Sequence, residues 1–175
     1  SKKTLLVIGG SLGARTINRT LEKGVARFGD EIQVVWQTGK IYFEEVNVQV
    51  EATGQKNITV LPFIARMDLA YGVADVIISR AGAGTISELA VAGKPVILVP
   101  SPNVAEDHQT RNALALVNRN AAIHVPDKLA ESMLVEECLR LFNDKAKMTR
   151  LAGNIMKMAV PDAAKRIAEE IFKLV

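Results

Sequence analysis

Two runs of small residues in this chain of 175 are suited to holding an anion. The first is Gly9-Gly10-Ser11-Leu12-Gly13-Ala14; the second is Ser79-Arg80-Ala81-Gly82-Ala83-Gly84-Thr85. Missing side chains let an anion come close to the backbone. Where such a run opens a helix, the N–H groups of the first turn and the helix dipole favour phosphate. Each run alone is equally well explained as a tight strand-to-helix turn. Two of them facing one crevice suit a diphosphate.

Further polar residues follow each run. Glu88 lies one turn into the helix that the second run opens, where a carboxylate can accept both hydroxyls of a ribose. Thr85-x-x-Glu88 also reads as a capping box, with Thr85 as N-cap. Ser11 has a similar double reading, as a phosphate donor or as the cap of the first helix. A later polar stretch, Pro100 to Asn112, carries His108, Gln109 and Asn112. Amide side chains both donate and accept, which suits sugar hydroxyls. An exposed helix start explains the stretch as well. His124 reads as structural, and two histidines so placed make no metal motif.

These residues need a frame. Short apolar runs predict strands at Thr4–Ile8, Ile32–Trp36, Ile58–Leu61, Val76–Ser79, Val96–Val99 and Ala122–Val125. Several are apolar at consecutive positions, as in strands covered on both faces. Between them lie helical stripes such as Ile17, Leu21, Val25 and Phe28, and Leu134, Cys138 and Leu141. The latter stripe places Cys138 in the core. After Pro161 the chain ends as a helix with Ile167, Ile171 and Leu174 on one stripe. The alternation predicts an α/β fold, a Rossmann-like doubly wound parallel sheet of about six strands with a helical C-terminal end, in one domain over residues 1–175. In the order 3-2-1-4-5-6, strands one and four are neighbours at the switch point where ligands bind. Both glycine-rich runs follow those two strands.

Composition excludes several classes. Apolar residues are 49% and charged residues 23%, so disorder and low-complexity classes do not apply. No apolar run reaches the roughly 20 residues that span a bilayer. The first strand begins too soon for a signal peptide to be expected. The single cysteine suits a reducing compartment and excludes a structural zinc site of the usual kind. The net charge is +3, and residues 140–175 hold eight Lys/Arg against four Asp/Glu, which reads first as a solvated helix surface. Aromatics are only 5%, without interleaved basic residues, so nucleic acid is not an expected partner. Strand two ends Val35-Trp36-Gln37-Thr38, without the carboxylate that holds an NAD ribose, and no P-loop is present.

The three motifs together resemble the MurG family. Gly9 to Arg15 with Asn18 looks like the opening of its C-terminal half. Ser79 to Glu88, followed by Ala92-Gly93-Lys94-Pro95, looks like its signature segment. Asp107 to Ala113 looks like its sugar-facing helix. The resemblance covers nearly the whole chain and implies the donor-binding half of a GT-B glycosyltransferase. Such an enzyme moves GlcNAc from UDP-GlcNAc to the 4-hydroxyl of lipid-linked muramyl pentapeptide, lipid I, giving lipid II in peptidoglycan synthesis. It further implies that Ser11 contacts a phosphate and that the backbone of Ile64 reads uracil. Ala83, Gly84 and Thr85 would serve the diphosphate, Glu88 the ribose, and Gln109 the GlcNAc with Asn112 and His108 nearby. Gly84 and His108 stand where some members carry a larger apolar residue and Gln.

An N-terminal domain carrying the acceptor site, the membrane-facing patch and the candidate base would lie outside this chain. No catalytic residue is therefore assigned here, and no cofactor or metal is expected. The whole enzyme would sit peripherally on the cytoplasmic side of the bacterial inner membrane, with this half alone soluble. Three other readings remain. One is a stand-alone donor-binding subunit that docks onto a separate membrane-bound subunit. Another is a UDP-GlcNAc epimerase-type relative using the Glu106–His108 loop. The last is an NAD module, disfavoured by the missing strand-two carboxylate.

Overall fold

The computed structural model describes residues 2–10 and 13–173. Six strands form one sheet: β1 (Lys3–Ile8), β2 (Ile32–Gln37), β3 (Ile58–Leu61), β4 (Val76–Ser79), β5 (Val96–Leu98) and β6 (Ile123–His124). Their order is β3-β2-β1-β4-β5-β6, and every pair is parallel. All six expected strands form, in the expected order. Only the ends differ, with β5 and β6 shorter than the apolar runs that announced them.

The consecutive apolar positions have a direct consequence. Side chains alternate along a strand, so a strand with no polar side needs cover above and below. In β1, Leu5 and Val7 enter one cluster, while Leu6 and Ile8 enter the other. The first cluster is closed by α1 (Arg15–Gly24), α2 (Phe43–Ala52) and α6 (Ala130–Asn143). The second is closed by α3 (Met67–Val73), α4 (Ala83–Ala92) and α5 (His108–Val117). The helix α7 (Lys145–Met156) sends Leu151 to one cluster and Ile155 to the other.

The stripe Ile17, Leu21, Val25 and Phe28 is buried throughout. It runs through α1 and continues into a tighter 3-10 turn at Val25–Phe28. Cys138 is fully buried in α6, as its stripe predicted, and desolvation pushes its thiol pKa well up. The last helix, α8 (Ala163–Phe172), forms where expected, but Ile167 and Ile171 on its stripe are 61% and 55% exposed. None of the described elements covers them, and Leu174 lies outside the described residues. Among the described residues no helix is long and apolar enough to cross a membrane.

One buried polar residue fixes α1 to the end of β2. Asn18, 2% exposed, donates from Nδ2 to the Thr38 carbonyl at 2.9 Å and accepts at Oδ1 from the Trp36 indole N–H at 3.0 Å. These partners settle which way the amide points. Asn18→Ala leaves both unpaired in the interior, at about 1–3 kcal/mol per buried group. Urea unfolding followed by Trp36 fluorescence is expected to show a loss of at least about 2 kcal/mol.

Candidate active-site cleft

Parallel pairing brings the ends of β1 and β4 side by side, with Ile8 opposite Ser79. The chain leaves both strands at the same edge, into the two glycine-rich turns. A cleft of about 850 Å³ opens there, lined among others by Gly9, Gly10, Gly13, Gly82, Thr85 and Glu88.

The first turn depends on glycine. Gly10 and Gly13 hold φ of 81° and 80°, in the left-handed region. A Cβ on Gly13 would lie 2.1 Å from the Thr38 carbonyl oxygen, so the turn packs directly on the end of β2. Gly13 N–H closes the turn on the Gly10 carbonyl at 3.1 Å. Ser11, the expected phosphate contact, lies outside the described residues. The N-cap of α1 is Ala14, without a side-chain cap.

The second turn ends at Gly82, extended at φ −66° and ψ 147°, which is the N-cap of α4. The first helical bond runs from Ile86 N–H to the Gly82 carbonyl at 2.9 Å. The N–H groups of Ala83, Gly84 and Thr85 therefore have no acceptor within the helix. With the α4 dipole they form an end suited to an anion, equivalent to about half a positive charge. Ala83 and Gly84 are exposed, and Thr85 lines the cleft.

This helix start removes the capping-box reading. Thr85 is the third helical residue, not the N-cap, and α4 has no side-chain cap. Glu88 instead accepts at Oε2 from the Tyr71 hydroxyl at 3.0 Å. Tyr71 comes from α3 and lines the same cleft. Burial, then the hydrogen bond and charge of Glu88, raise the Tyr71 pKa far above the ordinary phenol value.

The α5 residues serve the turn as well as the cleft. Gln109 Oε1 accepts from Ala81 N–H at 3.2 Å and Ser101 N–H at 2.9 Å. Asn112 Nδ2 donates to the Ala81 carbonyl at 3.0 Å. The two amides thus hold both ends of the Ala81 residue, just before the α4 start. Gln109 lines the cleft; Asn112 and His108 are not in its lining. Ile64 is buried, and its N–H donates to Gln37 Oε1 at 2.9 Å, leaving its carbonyl as the backbone group it can still offer. Phe63 beside it lines the cleft. Glu106 and Asp107, where an epimerase-type chemistry was sought, have left-handed φ of 53° and 51° and do not line the cleft.

Several cleft residues escaped the sequence analysis. Arg80 Nη1 donates to the carbonyls of Val99 and Pro100 at 2.9 and 3.0 Å and to Asp127 Oδ1. Asp127 Oδ2 in turn accepts from Thr16 Oγ1 at 2.9 Å. The second turn is thereby tied to the start of α1. Arg80 stood in the motif without a role, while Asp127 and Tyr71 carried no spacing signal because their partners are remote in sequence. Among the described residues no group of three or more His, Cys, Asp or Glu is placed to hold a metal.

Residues 4–167 match the glycosyltransferase family 28 C-terminal domain. The chain belongs to that family. It is 53% identical, over 99% of its length, to the UDP-N-acetylglucosamine–N-acetylmuramyl-(pentapeptide) pyrophosphoryl-undecaprenol N-acetylglucosamine transferase of Bacteroides thetaiotaomicron. The Flavobacterium psychrophilum protein of the same name is 49% identical over the whole chain. The chain spans 47% of each of these two relatives. Among solved structures, Acinetobacter baumannii MurG superposes with a TM-score of 0.87 at 31% identity, over 99% of this chain and 50% of that one. The UDP-GlcNAc 2-epimerase of Neisseria meningitidis, at 16% identity and a TM-score of 0.66, covers 98% of this chain and 44% of its own and shares the fold alone. A family 28 C-terminal domain thus presents its two turns, Glu88 and Gln109 to one cleft.

The Tyr71 phenol makes a pH prediction. Its raised folded-state pKa contributes stability that is complete below about pH 10, the unfolded value. That contribution is lost as pH rises further, because the unfolded chain releases a proton that the folded chain retains. Tyr71→Phe is expected to flatten the fall in unfolding free energy between roughly pH 9.5 and 11, read by urea titration. Equal slopes in both proteins would contradict the Tyr71–Glu88 pair.

Proposed function

We propose that this chain is the donor-binding half of a glycosyltransferase and that its cleft takes UDP-GlcNAc. The observation that carries this is the pairing of two amide-rich turns at one sheet edge, with the Glu88 carboxylate one turn beyond the second. Ala83, Gly84 and Thr85 receive the diphosphate, with Ser11 contributing from the first turn. Glu88 accepts the two ribose hydroxyls, its other contact being the Tyr71 hydroxyl. The Ile64 backbone reads the uracil. Gln109 donates its amino group to the GlcNAc hydroxyls, with His108 and Asn112 close by on the same helix.

The reaction is a single inverting displacement on an acceptor brought by the half that this chain lacks. The acceptor is the 4-hydroxyl of lipid-linked muramyl pentapeptide, lipid I. Its oxygen bonds to the anomeric carbon of GlcNAc as the bond from that carbon to the UDP oxygen breaks. The hydroxyl proton passes to a base in the missing half, and UDP leaves with the bonding pair. The added negative charge on the diphosphate falls at the α4 N-terminus, where fixed amides stabilise it without reorganising. This half binds the donor; the complete enzyme works at the cytoplasmic face of the inner membrane.

Calorimetric titration with UDP-GlcNAc tests the reading. Wild type is expected to bind saturably, and Glu88→Ala to bind about 10- to 100-fold more weakly, as for loss of a charged hydrogen-bond acceptor worth about 1.5–3 kcal/mol. NAD is expected not to bind. Binding of NAD in place of UDP-GlcNAc, or equal binding by wild type and Glu88→Ala, would contradict the assignment.

A further inference from the structure

In dinucleotide-binding relatives of this fold, the end of strand two carries a carboxylate that holds a ribose. Gln37 occupies that place here. It is 3% exposed and at the last position of β2, paired with Ile8 of β1 and Leu61 of β3. A neutral amide held so deeply needs partners for both ends. It has them: Nε2 donates to the Gly10 carbonyl at 3.1 Å, and Oε1 accepts from the Ile64 N–H at 2.9 Å. A donor and an acceptor so placed fix the orientation of the amide.

Both partners belong to binding loops, not to regular structure. The Gly10 carbonyl is the one on which Gly13 N–H closes the first turn. Ile64 follows β3, in the loop that leads to α3. One buried side chain thus joins the diphosphate turn to the base-reading loop across the end of β2. We infer that Gln37 is a positioning residue for donor binding, which sets the first turn and the Ile64 loop at the separation that one nucleoside diphosphate spans. The inference rests on the donor reading above, with the side chain acting through Gly10 and Ile64. It also gives the missing strand-two carboxylate a physical reason. A carboxylate at this position would keep the acceptor for Ile64 N–H but would have no hydrogen to give Gly10, and would face its carbonyl oxygen instead.

That asymmetry separates a positioning role from a merely structural one. Gln37→Met fills similar space with neither partner group. Gln37→Glu keeps only the acceptor once its carboxyl is ionised, which burial beside the Gly10 carbonyl delays to a pH above the ordinary carboxylate range. Amide hydrogen exchange of Ile64 and calorimetric binding of UDP are measured on both variants and wild type, with Trp36 fluorescence confirming the fold. In Gln37→Met the Ile64 amide is expected to exchange faster and UDP to bind about 10-fold more weakly, as for one or two hydrogen bonds lost. In Gln37→Glu the Ile64 amide is expected to stay protected, while UDP binding falls relative to wild type as the pH is raised from about 6 to about 10 and the carboxyl ionises. If the buried carboxylate prevents folding, Gln37→Met decides alone. Unchanged Ile64 exchange in folded Gln37→Met, UDP binding equal to wild type in folded Gln37→Met, or UDP binding by folded Gln37→Glu equal to wild type across that whole pH range, would overturn the inference. Wild-type protein that binds no UDP would contradict the donor reading instead, and Ile64 exchange would then decide the brace by itself.

Discussion

Parallel pairing of β1 with β4 is the constraint from which the cleft follows. Because both strands run the same way and end in register at Ile8 and Ser79, the chain must leave both at one edge. Each then turns into a helix that packs on a different face of the sheet, α1 with one cluster and α4 with the other. The turns diverge around the switch point, and a crevice remains between them. Neither turn owes its position to the other's sequence. The sheet positions both, and apolar burial on both faces holds the sheet.

Polar contacts then refine what packing roughly places. Gly13 sits so close to the Thr38 carbonyl that no side chain fits, and Asn18 donates to the same carbonyl. Gln109 and Asn112 grip Ala81, and Arg80 reaches through Asp127 to Thr16. Two of these five bonds end on the Ala81 backbone in the second turn. Gln109 and Asn112 thus hold the backbone just before the α4 start, so that the proposed diphosphate would meet donors already oriented. Such preorganisation gives fixed dipoles their value at a charge that grows during reaction.

The sheet was legible in the sequence because its strands are buried on both faces and so read as uninterrupted apolar runs. Strand order was legible because both glycine-rich runs follow the strands that the common order puts at the switch point. Glu88 was not decided by spacing, since Thr85-x-x-Glu88 satisfies a capping box and a ribose site alike. The extended conformation of Gly82, with α4 starting two residues before Thr85, removes the capping box. Tyr71 and Asp127 were invisible because the pairs Tyr71–Glu88 and Arg80–Asp127 join different elements. Gln37 was noticed only as a carboxylate that was missing. The stripe of α8 was legible as a pattern, but a pattern does not name its partner, and none of the described elements covers Ile167 or Ile171.

The central claim is that the two turns act as one diphosphate site. A titration of isotope-labelled protein with UDP, followed by amide chemical shifts, tests it most directly. The account predicts saturable shifts at Gly10 and Gly13 in the first turn and at Ala83, Gly84 and Thr85 in the second, all with one dissociation constant. Shifts confined to a single turn, or different constants for the two, would contradict it.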